Sequence, residues 1–163
     1  MNRKSLAATI ESQCRGQFVC GRNQDGTTIN YLPLFDDPGG NGAFGITEFG
    51  DWCSIGAEIR VVSEVDHERV LFRLLQNPLS EVVSLIKLSL QEFHLPEIIV
   101  MTFPFDSLVV AALQSSWRDF AMKWIDSGYP LNDEMILILS GNDKQSNFWL
   151  NRQRERLSDL LSL

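Results

Sequence analysis

The sequence predicts an α+β fold: an N-terminal antiparallel β-sheet or meander, followed by a C-terminal bundle of about five helices. Three observations predict it. Glycines and turn signals concentrate in residues 16–63. Strand-like alternation falls in the same stretch, where Ala57, Ile59 and Val61 alternate with Glu58 and Arg60. From residue 66 to 163 the apolar residues recur at helical spacing instead. A chain of 163 residues, 44% of them hydrophobic, is long enough to bury a core, and one domain over 1–163 is expected.

In chain order, "MNRKSLAATIESQ" has a basic tip but no sustained apolar run behind it, so it reads as a first helix and not a signal peptide. "QFVCGRNQDGTTINYLPLF" reads as two strands around the hairpin signal Asp25-Gly26. The loop "DDPGGNG" comes next, and then "AFGITEF" and "GAEIRVV" as extended segments. Asp66 is a candidate N-cap, with Val70, Leu71, Leu74 and Leu75 as its stripe. Asn77-Pro78 restarts a helix whose stripe is Leu79, Val82, Val83, Ile86, Leu90 and Phe93, and Pro96 ends it. "EIIVMTF" at 97–103 fits either a buried strand or a short buried helix. Asp106 or Ser107 then caps a long helix carrying Leu113, Trp117, Phe120 and Trp124, closed by Gly128 and Pro130. Asn132 caps a short helix through Leu139, and Ser146 caps a last one bearing Trp149, Leu150, Leu157, Leu160 and Leu161.

Charge is distributed unevenly. Between Asn23 and Asp66 stand eight acids (Asp25, Asp36, Asp37, Glu48, Asp51, Glu58, Glu64 and Asp66) against the single base Arg60, which equals the whole net charge of −7. Such a segment repels phosphates, so nucleic acid is not an expected partner, whereas a basic protein surface is its natural complement. Arg152, Arg154 and Arg156 are opposed by Glu155 and Asp159 and read as a solvated helix face. No apolar run reaches the roughly 18 residues of a membrane span. Three cysteines, Cys14, Cys20 and Cys53, without a C-x-x-C, read as free thiols in a reducing cytoplasm.

The one chemical motif is G-x-G-x-x-G at Gly40, Gly42 and Gly45. With Gly56, the run Ile59–Val62 and the acid Glu64 it partly resembles the dinucleotide-binding fingerprint, which makes a nucleotide-binding enzyme the alternative reading. Against it, Asp36 and Asp37 sit where a pyrophosphate would lie. No Lys or Arg falls between Asn23 and Ile59, and "ITEFGDWCSI" lacks the stripe of the helix the motif requires. A turn between strands is the preferred reading. His67 and His94 have no partner at metal-ligand spacing, and Cys53 with His67 reads as packing rather than as a nucleophile and base. No catalytic, cofactor or metal residue is assigned, and no enzyme activity is expected.

The stretch "SSWRDFAMKWIDSGYPLNDEMILILSG", with "NRQRERLSDLL" beyond it, resembles the C-terminal helical part of small acidic bacterial proteins linked to toxin–immunity systems. The shared pattern is W-x-x-x-A-x-x-W ahead of a G-Y-P turn, here Trp117, Ala121, Trp124, Gly128, Tyr129 and Pro130, in about a quarter of the chain. The resemblance implies a protein that neutralises a partner. Together with the charge distribution it leads to an expected interaction module that covers a basic surface of a toxin or enzyme. Asp36, Asp37, Glu48, Asp51 and Glu58 would supply charge, and Trp52, where exposed, the aromatic anchor. A structural subunit of a larger assembly is the third reading, and oligomeric state is left open.

Overall fold

A computed structural model describes residues 1–40, 42–62 and 67–141. The chain divides into two compact units, Met1–Leu108 and Val109–Leu163, so the division does not follow the change of composition near residue 65. The fold is α+β, as the sequence predicts.

The first unit opens with α1 (Arg3–Cys14), capped by Asn2, whose side-chain oxygen accepts from the Ser5 N–H at 2.9 Å. Leu6, Ile10 and Cys14 form its buried stripe. Five strands come after it: β1 (Val19–Arg22), β2 (Thr28–Asp36), β3 (Ala43–Thr47), β4 (Trp52–Ile55) and β5 (Ile59–Val61). They form one antiparallel meander in the order β1-β2-β3-β4-β5. Asp25-Gly26 makes the first hairpin as expected, with Gly26 at φ 84° and the Thr27 N–H donated to the Asp25 carboxylate at 2.9 Å.

The sheet is buried on both faces. Leu32, Phe44, Ile46 and Trp52 share one face in register, and Trp52 stacks edge-on to Phe103 at 5.0 Å. The other face carries a small core of Ile29, Tyr31, Cys53, Ile59 and Val61. This second core exists because the sheet curls: a Cβ placed on Gly21 of β1 would lie 2.8 Å from the Ile59 side chain of β5. Pro33 sits at a bulge in β2, where a missing N–H does least harm, and the extra residue turns both Leu34 and Phe35 into the core.

The helical part departs from the expectation in two places and resolves a third. Residues His67–Gln76 form a 3-10 helix; Leu71, Leu74 and Leu75 of the expected stripe are buried, and the period of three adds Phe72 while leaving Val70 half-buried. The expected cap Asp66 lies outside the described residues. After α2 (Leu79–Glu92), which begins one residue past Pro78, the ambiguous segment is a second 3-10 helix, Glu97–Thr102. It buries Ile99 and Val100.

The expected single long helix is two, α3 (Phe105–Leu113) and α4 (Arg118–Asp126). Ser115 divides them. Its hydroxyl donates to the Ala112 carbonyl at 2.9 Å and accepts from the Trp117 N–H at 3.1 Å, ending one helix and starting the next. Helix α3 also begins at Phe105, ahead of the expected caps Asp106 and Ser107. As a result, Trp117 and Phe120 are half-buried and the buried face of α4 is Ala121, Met122, Trp124 and Ile125. Asn132 caps α5 (Asp133–Leu139) as expected, accepting from the Met135 N–H at 2.9 Å. The last expected helix, with Ser146, Arg152, Arg154 and Arg156, lies outside the described residues.

Candidate functional site

The antiparallel register settles where the expected site residues fall. Successive connections of a meander alternate between its two ends. Asp36 and Asp37 at the β2–β3 turn and Glu58 at the β4–β5 turn are therefore at one end, while Glu48, Asp51 and Trp52 at the β3–β4 turn are at the other. With β3 five residues long, the ends lie roughly 15 Å apart. The six residues do not form one patch.

At the β2–β3 end the two neighbouring aspartates differ. Asp36, the last residue of β2, is exposed. Asp37 is turned inward, with its side chain only 10% exposed. Its carboxylate accepts from the Gly39 N–H at 2.8 Å and faces the Arg73 guanidinium at 3.9 Å. Its backbone closes the turn through Asp37 N–H to Gly42 O at 2.9 Å and Gly40 N–H to Asp37 O at 2.8 Å. Asp37 builds the loop and is spent on it. Glu58 is exposed, and neither it nor Asp36 has an ion pair among the described residues.

This turn also answers the glycine motif. Gly45 lies inside β3, and a Cβ there would collide with the Leu32 carbonyl of β2. A Cβ on Gly42 would lie 2.6 Å from the Ile55 carbonyl. These glycines permit close strand approach. The loop leads into strand, turn and strand rather than into the helix the motif requires, and the acid Glu64 lies outside the described residues.

At the opposite end Trp52 is 5% exposed and donates its indole N–H to Thr102 Oγ1 at 3.0 Å, so it is no surface anchor. The exposed aromatic is its neighbour Phe49, at 59%. The turn presenting Phe49 is tightly held. Thr47 N–H donates to Asp51 O at 2.8 Å and Gly50 N–H to Thr47 O at 2.9 Å. Gly50 has φ 82°, and a Cβ on it would lie 2.6 Å from the Arg3 carbonyl of α1. The Arg3 guanidinium pairs with Asp51 and donates to Phe49 O at 3.2 Å. Glu48 accepts from the Asn30 amide at 3.2 Å. Two hollows flank the turn. One of about 470 Å³ is lined by Arg3, Asp51, Trp52, Thr102 and Ser107 among others, and a groove of about 440 Å³ lies between α1 and Phe49. Nothing in the sequence distinguishes Phe49 from the nine other phenylalanines.

Cys53 sits in the small core, where burial pushes its thiol from 9.0 to about 12. Burial keeps the thiol protonated at neutral pH, as suits a residue that packs in this small core. Among the described residues no group of three or more His, Cys, Asp or Glu side chains is placed to hold a metal ion, and no helix is long and apolar enough to cross a membrane. Comparison with protein-family models, with curated proteins and with solved structures finds no match to this chain.

Proposed function

We propose that this chain is a protein–protein interaction module that engages a basic partner surface through the sheet end carrying Asp36 and Glu58. The observation that supports it is the exposure of these two carboxylates, with no counter-ion among the described residues, on a chain of net charge −7. Such carboxylates need give up no internal ion pair to meet a partner, and they steer a cationic surface towards the sheet end. Glu48, Asp51 and Asp37 are already engaged within the fold and drop out of the contact. The toxin-neutralising form of the reading, in a reducing cytoplasm and without catalysis, rests on the helical resemblance and on the three free cysteines.

The test is capture of partners from the source lysate by the tagged chain, at low and high salt, beside the double variant Asp36→Lys/Glu58→Lys. The expected result is one stoichiometric basic protein, released by salt and lost from the variant. With a purified partner, association should slow and lose salt dependence in the variant. Equal capture by the variant removes these carboxylates from the proposal.

A further inference from the structure

We propose that the groove between α1 and the β3–β4 turn is a self-association face, and that its occupant is a second copy of this chain lying antiparallel along α1. The groove is lined by Arg3, Lys4, Ala7, Ala8, Glu11, Glu48 and Phe49. Lys4, Ala7, Ala8 and Glu11 stand at i, i+3, i+4 and i+7, so they form one face of the helix, set to one side of the buried stripe Leu6, Ile10 and Cys14. Ala7 and Ala8 are the low floor of that face, and Phe49, 59% exposed, is its wall.

The charges on this face are self-complementary. The midpoint of Lys4 and Glu11 along the helix is also the midpoint of Ala7 and Ala8. A two-fold axis through that point sets alanine against alanine, which allows the helix axes to approach to the short end of the usual ~8–10 Å range. The same axis sets each Lys4 against the other copy's Glu11, twice over, as a closed isologous contact requires. A parallel copy would set like charges together. The axis also carries Phe49, whose backbone is held beside the first turns of α1 by the Arg3 contacts, over the C-terminal half of the second copy's helix. A turn already fixed in place loses little backbone freedom on contact. The contact is small, which places it in the weak class of interfaces.

The experiment is sedimentation equilibrium of the full chain over a concentration series reaching about 1 mM. The expected mass rises from the monomer's 18.5 kDa towards twice that value. Lys4→Glu and Glu11→Lys, both at exposed positions, should each weaken the dimer about tenfold or more, because each turns two attractive pairs repulsive. Mixing the two single variants should restore association. One variant is then acidic at both positions and the other basic at both, so each cross-pair is again attractive. A monomer at every concentration overturns the proposal, as does a dimer indifferent to both variants or a mixture that fails to recover. The proposal does not rest on the acidic sheet end: Asp36→Lys/Glu58→Lys should leave the dimer constant unchanged.

Discussion

The three cysteines show how one residue type acquires three characters from its surroundings. Cys20 is exposed on β1, Cys14 is on the buried stripe of α1, and Cys53 is enclosed by the curled sheet. A thiol reagent should therefore modify one cysteine per chain under native conditions and three in denaturant, counted by mass spectrometry. Faster native modification of Cys53 than of Cys20 would contradict the enclosed core. The pH dependence follows from the same burial. Cys53 is pushed from 9.0 to about 12, so above pH 9 the unfolded chain releases a proton that the folded chain keeps. Stability from this group is complete below pH 9 and falls as pH rises towards 12, with a slope of about 1.4 kcal/mol per pH unit. Tyr31 and Cys14, also raised by burial, act in the same direction. Denaturant melts at successive pH values check this, and Cys53→Ala should reduce the slope.

At the scale of elements, Gly45 separates the two readings of the glycine motif. Gly45→Ala drives a methyl into the Leu32 carbonyl of the adjoining strand. It should cost about 1–3 kcal/mol. Gly56→Ala has its nearest neighbour at 4.0 Å, and should stay within about 0.5 kcal/mol of wild type. Denaturant unfolding of both variants checks the contrast, and equal stabilities would contradict the close strand approach. Four of the five strands and the hairpin at Asp25-Gly26 are legible in the sequence because alternation and turn chemistry are local signals. Strand β4 (Trp52–Ile55) has too short a pattern to be read, and Ala57, placed on the buried face by the alternation, falls in the turn before β5 and is exposed. Of the motif's glycines, Gly40 at φ 93° belongs to the turn, while Gly45 lies inside β3. Asn132 is legible as a cap. The break at Ser115 is not, because an apolar stripe can run through a hydroxyl that rewires two backbone bonds. The period-three burial of Leu71 and Leu74, and of Phe72 and Leu75, hides behind the assumption of an α-helix.

For the molecule as a whole, the charge count of the acidic segment is readable and its use is not. Six of the eight acids between Asn23 and Asp66 lie among the described residues, and the meander sends them to opposite ends. Arg3 and Arg73, which neutralise Asp51 and Asp37, come from outside the segment, so no count within it reveals them. The candidate site is thus half legible: Asp36 and Glu58 remain as exposed charge, Trp52 is core, and Phe49 emerges only from the turn geometry. The two proposed contacts occupy different ends of the sheet, and variants at one should leave the other unaltered.

The neighbour-only strand order has a kinetic consequence. Every pairing in the sheet joins segments consecutive in the chain, so each strand docks after the closure of one short loop. No strand must wait for a distant partner. Low sequence separation between contacting residues is what makes a topology quick to form, so the sheet can assemble strand by strand as the chain emerges, with little time spent as exposed, sticky edges.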